Sequence, residues 1–555
     1  MRFSYIKILV FLFFASQANA QESKAFGIQI NLNQVTGYDS IDDISIMPKI
    51  ELFNVKTFDL DALKNNIFLT KTHLGNYLQS IALEISLDKK EGLVFLKPSF
   101  ELQELATYKL YVSGKLTKNG FPFEIKLCTQ AGDGNKFPII SDEALLTKIQ
   151  KQTFKYFWDY GHPVSGMARE RNNNYNRDGE IVTSGGTGFG LMAIIVAIER
   201  GFITREEGIE RIQKIVDFLD KKVPKFHGAW PHWMNGTTGE VISFWGKEDN
   251  GADLSESSYM AVGLLTVRQY LNQNDKKEKE LYTKINRMWE AVEWNFFTKS
   301  GKENVIYWHW SPQYEYKINL PISGYHESMI TYILAASCPF YSIDPIVYHE
   351  GWARQGAHKS GEEYYGYTLP LSHTKGSYGG PLFMSQYSFL GINPKGLKDK
   401  YADYWEQGKT HALINRAYCI DNPKNYTGYG QNFWGLTSSD SHINGGKGYG
   451  NHAPNADTGV ITPTAAISSI IYTPDYSMDA IRFFYYKLGN RLWGEYGFFD
   501  AINPTENWVA DGYLAIDQGP IIIMIENYRT GLLWDLFMSN PEINDGLKRL
   551  GFYYD

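Results

Sequence analysis

The stretch "LLTKIQKQTFKYFW", residues 145–158, sets the pattern for most of the chain. Its apolar residues recur at spacings of three and four, the period of an amphipathic α-helix. Ser141 is a favourable N-cap, and Asp142 and Glu143 follow it where acidic side chains oppose the helix dipole. "RIQKIVDFLDKKV", residues 211–223, has the same periodicity. We therefore expect a mostly helical region from here to the C-terminus.

Twelve helical segments are predicted in this region, with uneven connections between them. The predicted starts lie near Asp142, Gly188, Thr204, Leu254, Lys277, His326, Asp344, Gly380, Leu397, Pro463, Ser477 and Gln518. The long connections, rich in Gly, Trp, Tyr and His, are 224–253, 300–325, 356–379 and 422–461. Long loops in a compact domain are usually functional. We predict an all-α (α/α)6 toroid, six inner helices ringed by six outer ones, with the long loops building a cleft. A repeat solenoid is the alternative, but no sequence period supports it.

The N-terminal part reads differently. Residues 1–20 combine basic residues, a short apolar run and Ala-Asn-Ala, which predicts a cleaved secretory signal peptide and export, most simply to the periplasm. Residues 21–135 contain short alternating segments such as "PKIELFNVKTFDL", "GLVFLKPSFEL" and "TYKLYVSGKL", separated by turn residues, which predicts a small all-β sandwich. The last two segments also resemble bacterial immunoglobulin-like domains. The helical domain is assigned to 136–555.

Composition limits the classes of partner. The net charge is −7 and no Lys/Arg-rich run stands out, so nucleic acid is not an expected partner. Beyond the signal peptide, no apolar stretch is long enough to span a membrane. Three widely spaced cysteines give neither a disulfide framework nor a CxxC metal motif. The aromatic content of 15% suits a large core, and it also suits a groove whose aromatic faces stack on sugar rings.

The long loops interleave aromatic, acidic and histidine side chains, the set that a carbohydrate cleft uses. Cleavage of a glycosidic bond needs one protonated carboxyl and one ionised carboxylate, and these two groups can come from distant loops. The predicted substrate-binding residues are Glu180, Trp230, His232, Trp233, Asp253, Trp308, Glu327, Tyr429, Trp434, Asp457 and Asp517.

Several of these acids have a structural alternative. Asp253 and Glu256 in "DLSE" form a capping-box pattern at a helix start. Glu327 in "GYHES" lies in a first helical turn, where it would compensate the dipole. Asp440 in "LTSSDSH" precedes a Gly-rich loop, so a capping role explains it less well. Glu180 precedes a Gly-rich turn that lacks the Lys of a P-loop.

Metal and cofactor signals are weak. Asp440-x-His442 and His452-x4-Asp457 do not fix a ligand set, and HExxH is absent from the sequence. We predict no cofactor and no catalytic metal, and we leave a structural, loop-bound calcium open.

Ten stretches carry a resemblance to a known family. They include "SGGTGFGLMAIIVAIERGFITREEG", "DLSESSYMAVGLLTVRQYL", "GYHESMITYILAAS", "NFWGLTSSDS", "RLWGEYGFFDAIN" and "AIDQGPIIIMIENYRTGLLW". In this order they resemble the bacterial glycoamylase-like domain and, more specifically, glycoside hydrolase family 144. The resemblance implies an (α/α)6 barrel, an inverting mechanism and β-1,2-glucan as substrate, with either endo action or exo release of sophorose. The older name glucoamylase implies an α-1,4 substrate, which we do not expect.

The resemblance also implies residue roles. The family's "D-x-x-E" helix start falls on Glu256 and its "GLTxSD" acid falls on Asp440. We predict Glu256 as general acid and Asp440 as base, with Asp457 as the competitor for the second role. A polysaccharide lyase on the same toroid and a non-catalytic glycan-binding protein stay as alternatives. Endo or exo action and the oligomeric state are not readable from the sequence.

Overall fold

The structure, a computed structural model, describes residues 27–31, 40–57, 59–173, 179–243 and 245–555. The predicted signal peptide lies outside these residues. Within them, no helix is both long and apolar enough to cross a membrane.

Residues 27–129 form two packed β-sheets. Their strand orders are β1-β3-β7-β6 and β2-β9-β8-β4-β5. Both sheets contribute to one apolar core, in which Ile50 and Leu96 of the first sheet join Leu69 and Leu110 of the second. The elements are β1 Gly27–Asn31, β2 Ser40–Ile44, β3 Lys49–Phe53, α1 Leu60–Lys64, β4 Ile67–His73, β5 Asn76–Ile81, β6 Leu83–Asp88, β7 Leu93–Pro98, β8 Thr107–Val112 and β9 Phe123–Thr129. The predicted strand character of this region is confirmed, although β2, β4 and β5 were not among the predicted segments.

The β4–β5 hairpin anchors this strand region to the helical one. At its tip Leu74 and Gly75 have φ of 50° and 73°, as in the two central residues of a type I′ turn. The Leu74 N–H donates to the Glu506 carbonyl at 2.9 Å, and its side chain packs on a cluster that includes Trp508. The Asn507 side chain donates to the Thr72 and Thr107 carbonyls at 2.7 Å each. The two regions are therefore joined by backbone-directed hydrogen bonds and an apolar contact.

The rest of the chain is helix-rich, as predicted. The helices are α2 Asp142–Trp158, α3 Ser184–Glu199, α4 Arg205–Lys221, α5 Leu254–Tyr270, α6 Lys276–Glu290, α7 Met329–Ser337, α8 Pro345–Val347, α9 Tyr404–Asp421, α10 Ile443–Gly446, α11 Pro463–Ser468, α12 Pro474–Arg482, α13 Gly489–Leu492, α14 Ala515–Arg529, α15 Leu532–Met538 and α16 Pro541–Leu550. Ser141 caps α2 by accepting the Ala144 N–H at 3.3 Å, as its sequence predicts.

Two of the predicted helix starts differ substantially from the structure, and the others lie within four residues of an observed start. Near Gly380 the chain forms two 3-10 segments, Leu382–Ser385 and Tyr387–Phe389, because Gly379 and Gly380 adopt positive φ and Pro381 follows. Near Leu397 the helix begins later, at Tyr404. Asp399 first accepts the Tyr401 and Ala402 N–H groups in a turn, and Asp403 then caps the helix.

Short strands join the long loops to the helix ends. They are β10 Arg171–Asn172, β11 Ile181–Thr183, β12 Trp233–Asn235, β13 Ala252–Asp253, β14 His309–Trp310, β15 Lys359–Tyr364, β16 Tyr367–Leu371, β17 Leu397–Lys398, β18 Ser438–Ser441, β19 Gly448–Asn451, β20 Trp493–Gly494, β21 Gly497–Phe498, β22 Ile502–Asn503, β23 Trp508–Val509, β24 Tyr513–Leu514 and β25 Tyr553–Tyr554.

Burial distinguishes core helices from surface helices in this region. α3 and α5 are buried almost all round, whereas α4 and α6 bury one face, which is the distinction between core and surface helices. α3 and α5 approach so closely that a Cβ on Gly188 would lie 2.2 Å from the Tyr259 carbonyl oxygen. Several candidate site residues lie at the N-termini of α3 and α5.

Candidate active site

The first group of site residues surrounds the start of α5, and we call it the helix-mouth cluster: His232, Asp253, Glu256 and Glu327. Asp253 caps α5 by accepting the Glu256 N–H at 2.9 Å, and its other oxygen lies 3.1 Å from His232 Nδ1. His232 Nε2 lies 3.7 Å from Glu256 Oε1. The imidazole therefore bridges the two carboxyls.

Glu256 is held from its other side by the start of α3. Its Oε2 accepts the Gly185 N–H at 2.9 Å and contacts the Thr183 hydroxyl at 3.4 Å. A Cβ on Gly185 would lie 2.3 Å from this oxygen, so only glycine allows the approach. The Glu256 side chain is thus fixed in position by backbone geometry.

Burial gives these carboxyls different charge states. It raises the pKa of Glu256 to about 6, against the opposing charge of His232, and raises that of Asp253 to about 8, against its N–H partners. Burial also acts to raise the pKa of Glu327, but the neighbouring His326 outweighs it and the pKa is lowered. Near neutral pH the cluster therefore combines a protonated Asp253, an ionised Glu327 and a Glu256 that gains its proton in mildly acidic solution.

The second group, which we call the arginine cluster, contains Glu170, Arg171, Asp440, Asp500 and Asp517. Arg171 donates to both oxygens of Glu170, at 2.6 and 3.0 Å, and to Asp440 Oδ1 at 3.0 Å. The Asp440 N–H donates to Asp500 Oδ2 at 2.7 Å. One buried guanidinium thus serves several buried carboxyls.

Asp440 has a defined environment within this cluster. It lies on β18 opposite Tyr449 of β19, and its Oδ2 accepts the Asn173 amide at 3.1 Å. Burial and the charge of Asp500 raise the pKa of Asp440 to about 8, while Arg171 opposes them. Burial likewise raises the pKa of Asp517, in the first turn of α14, to about 7.

The two clusters lie on either side of the first turn of α3. A Cβ on Gly185 would contact Glu256, and a Cβ on the next residue, Gly186, would lie 2.5 Å from the Ala515 Cβ at the start of α14. The Tyr387 hydroxyl lies within electrostatic reach of both Glu256 and Asp517. Two sets of carboxyls therefore lie close to the same helix turn.

Two of the predicted tryptophans contact the helix-mouth cluster. The Trp308 side chain hydrogen-bonds to Asp253, and Trp233 stacks on His232 with ring centroids 3.3 Å apart. Trp245, which was not predicted, stacks on Trp233 at 6.1 Å and is 71% exposed. These residues extend the helix-mouth cluster toward solvent.

The side chains of the remaining predicted residues contact other parts of the chain, although the Trp230 backbone carbonyl accepts the Asp253 N–H at 3.0 Å. Trp230 and Trp434 are fully buried, so neighbouring protein atoms cover their rings. The two Asp457 carboxylate oxygens accept the Tyr429 and Tyr418 hydroxyls at 2.8 and 3.0 Å, which organises the 422–461 loop. Glu180 contacts the Thr237 hydroxyl at 2.8 Å near the surface.

Sequence reasoning missed Glu170, Arg171 and Asp500. Asp500 lies within "RLWGEYGFFDAIN", one of the stretches that carry the family resemblance, and this was the one available signal for it. Among the described residues, no group of three or more His, Cys, Asp or Glu side chains is arranged to hold a metal ion.

Comparison with known proteins identifies relatives. The Glycoamylase family model, described as a glucoamylase, matches residues 319–541. A curated "Exo beta-1,2-glucooligosaccharide sophorohydrolase (non-reducing end)" from Parabacteroides distasonis is 43% identical over 439 residues, which cover 76% of this chain. The match spans 60% of that relative's length.

Solved structures are similar as well. An endo-β-1,2-glucanase from Chitinophaga pinensis is 53% identical with a TM-score of 0.72, and the match covers 75% of this chain and 99% of that one. A β-1,2-glucanase from Parabacteroides distasonis is 38% identical with a TM-score of 0.71, covering 88% of this chain and 69% of that one.

The chain therefore has a helix-rich domain whose solved relatives include β-1,2-glucanases. The chain belongs to the glycoamylase-like family, glycoside hydrolase family 144, as the sequence resemblance indicated.

Proposed function

We propose that this chain is a glycoside hydrolase that cleaves β-1,2-glucosidic bonds in β-1,2-glucan or its oligosaccharides with inversion. The observation that carries the proposal is the pair of buried carboxyl clusters on either side of the α3 first turn. Glycoside hydrolysis uses one carboxyl from each side of the scissile bond. The names of the relatives supply the substrate class.

Glu256 acts as the general acid. Burial holds its pKa at about 6, so a large fraction is protonated in mildly acidic solution, and the Gly185 N–H fixes its orientation. It gives its proton to the glycosidic oxygen as the bond to the anomeric carbon breaks. His232 lies close enough to stabilise the carboxylate that forms.

Asp440 acts as the base. Burial and the charge of Asp500 raise the pKa of Asp440, Arg171 opposes them, and Asn173 orients the second oxygen, so the base is the fraction of Asp440 that is ionised. Asp440 takes a proton from a water whose oxygen attacks the anomeric carbon from the face opposite Glu256. The products are a sugar of inverted anomeric configuration and a shortened chain.

The helical domain forms an (α/α)6 toroid in this proposal. The inner positions are α3, α5, α7, the 3-10 segments of 382–389, α11 and α14, and the outer helices alternate with them along the chain. The extensive packing of α3 against α5 and α14, and of α11 against α14, supports a closed ring. The N-terminal sandwich is assigned to an immunoglobulin-like domain over 21–135 and the barrel to 136–555.

Exo action with release of sophorose is the proposed mode. The curated Parabacteroides distasonis relative, 43% identical to this chain, is named as an exo-acting sophorohydrolase, whereas the Chitinophaga relative is named as an endo-acting enzyme. The match to the Parabacteroides distasonis β-1,2-glucanase structure covers 88% of this chain and therefore extends into the sandwich. Leu74 at the sandwich tip lies beside Gly446, in the turn between β18 and β19, and β18 carries Asp440. The sandwich thus lies next to one side of the proposed cleft. The predicted signal peptide supports export to the periplasm.

Product analysis on linear β-1,2-glucan and on its oligosaccharides tests the activity and the mode together. Sophorose as the sole early product supports exo hydrolysis, and a ladder of sizes indicates endo action. Binding without products would favour a glycan-binding protein. An unsaturated product from a uronate polymer would favour a lyase.

A further inference from the structure

Asp500 and Asp517, two buried carboxyls of the arginine cluster, each have one oxygen that accepts no hydrogen bond among the described residues. Asp500, just before β22, is 4% exposed, and Asp517, in the first turn of α14, is 3% exposed. Among the described residues, Asp500 Oδ1 and Asp517 Oδ2 have no N–H or O–H partner. The two carboxyls lie within hydrogen-bonding reach of each other. Two ionised carboxylates in this position would repel, so a proton between them is the physical resolution.

We propose that Asp500 is protonated at neutral pH, donates from Oδ1 to Asp517 Oδ2, and acts as a positioning residue for both Asp517 and Asp440. Its effect on catalysis rests on the proposed function, whereas the shared proton does not depend on it.

The hydrogen-bond pattern decides which carboxyl holds the proton. Asp500 Oδ2 already accepts the Asp440 N–H at 2.7 Å, so Oδ1 is the oxygen left to carry a hydrogen. Burial and the charge of Asp517 raise the pKa of Asp500 well above its usual range. Burial raises the pKa of Asp517 less, to about 7, because the hydrogen bond from Asp500 opposes it. Both effects place the proton on Asp500.

The charge balance of the cluster favours the same state. Arg171 is the cation that acts on both Asp500 and Asp517, and it already pairs with Glu170 and Asp440. A neutral Asp500 removes one of the negative charges that this guanidinium has to balance. The ionisable and charged groups facing the pair are Glu170, Arg171, Asp440, Tyr156, Tyr387 and Tyr449.

The proton on Asp500 has a consequence for Asp440. The negative charge of Asp500 is the second cause, after burial, of the raised pKa of Asp440. When Asp500 is neutral this cause disappears, and Arg171 then favours an ionised Asp440. Asp500 thereby helps to keep the proposed base in the form that can accept a proton.

Infrared difference spectroscopy on the full chain at neutral pH tests the proton directly. The D500N variant should lose the C=O stretching signal of one protonated carboxyl relative to wild type. The D511N variant, a matched control with an exposed carboxyl in the same segment, should keep that signal. An unchanged protonated-carboxyl signal in D500N would overturn the proposal, whether or not the protein hydrolyses glucan.

Kinetics then test the positioning role. Asparagine can donate to Asp517 and accept from the Asp440 N–H, so D500N should keep kcat/KM within about tenfold of wild type, whereas D500L, which can do neither, should lose about a hundredfold or more. The acidic limb of the pH profile should move to higher pH in D500L, because Asp517 loses the hydrogen bond that lowers its pKa. If D500N is as inactive as a correctly folded D500L, Asp500 works as an ionised group and the proposal fails.

Discussion

The helix-mouth cluster and the arginine cluster bury carboxyls in two different ways. In the first, the neighbouring basic side chain is His232, whose ring nitrogens lie 3.1 Å from Asp253 and 3.7 Å from Glu256. In the second it is Arg171, which stays charged at all relevant pH values. The first arrangement suits a group that must release a proton and regain it. The second places a permanent positive charge beside the proposed base, which opposes the effect of burial on the pKa of Asp440.

The strongest test of this division is the E256Q variant. Glutamine keeps the shape and accepts the Gly185 N–H but cannot give a proton, so kcat should fall by about 10²–10⁴ with little change in KM. The measurement is the initial rate on β-1,2-gluco-oligosaccharides. Wild-type activity in E256Q would remove Glu256 from the mechanism.

The next test separates Asp440 from Asp457. D440N should lower kcat by about 10²-fold or more with a nearly unchanged melting temperature, because Arg171 still has Glu170 as a partner. D457N, its control, weakens the hydrogen bonds from Tyr418 and Tyr429 and should cost about 1–3 kcal/mol of stability. The measurements are the initial hydrolysis rates and the melting temperatures of the two variants. The reverse pattern would make Asp457 the better candidate for the base.

A smaller effect is expected from G185A. The added Cβ would displace the Glu256 carboxyl, which should lower kcat by up to about 10²-fold, since a misplacement near 1 Å can have this cost. G134A is the matched control, because a Cβ on Gly134 would have no atom within 4 Å. Equal kinetics for the two variants would mean that the Gly185 contact does not position Glu256.

The smallest expected effect is a change in the pH dependence of stability. The folded-state pKa of Asp253 is raised to about 8, above the value of about 3.9 for an unfolded aspartate, so folding favours its protonated form. This contribution is complete below the unfolded pKa and is lost as the pH rises through about 8. In D253N, melting temperatures between pH 5 and about 8 should fall less steeply than in wild type. Parallel curves for the two proteins would show that Asp253 is ionised in the folded state.

Much of the fold was predictable because local signals were strong. Ser141 and the periodicity after it gave the start of α2, and most other predicted helix starts lay within four residues of the observed ones. The segment near Gly380 was not predictable as 3-10 turns, since positive φ at two successive glycines depends on their contacts with the rest of the fold.

Local pattern drew attention to part of the candidate site. Asp253 and Glu256 stood out at the start of a helix, and the family resemblance then favoured Glu256 and Asp440 as the catalytic pair. Arg171 lies on the two-residue strand β10, where it pairs with Leu514 of β24, more than 300 residues away in the sequence. No local sequence pattern predicts such a distant pairing. Trp230 and Trp434 show the opposite problem, because a tryptophan in a core and one in a cleft look alike in sequence.

Leu74, at the tip of the β4–β5 hairpin, contributes to the contact with the helical region but is unfavourable for the hairpin turn itself. A β-type turn with two left-handed positions prefers Asn-Gly, and a leucine in that conformation costs about 1–2 kcal/mol. The isolated sandwich would fold better with asparagine there, but asparagine could not fill the apolar contact with Trp508. The backbone strain at Leu74 destabilises the sandwich, whereas the Leu74 side chain stabilises the junction between the sandwich and the helical region. We therefore expect a sandwich taken from a homologous chain to dock poorly on this helical region.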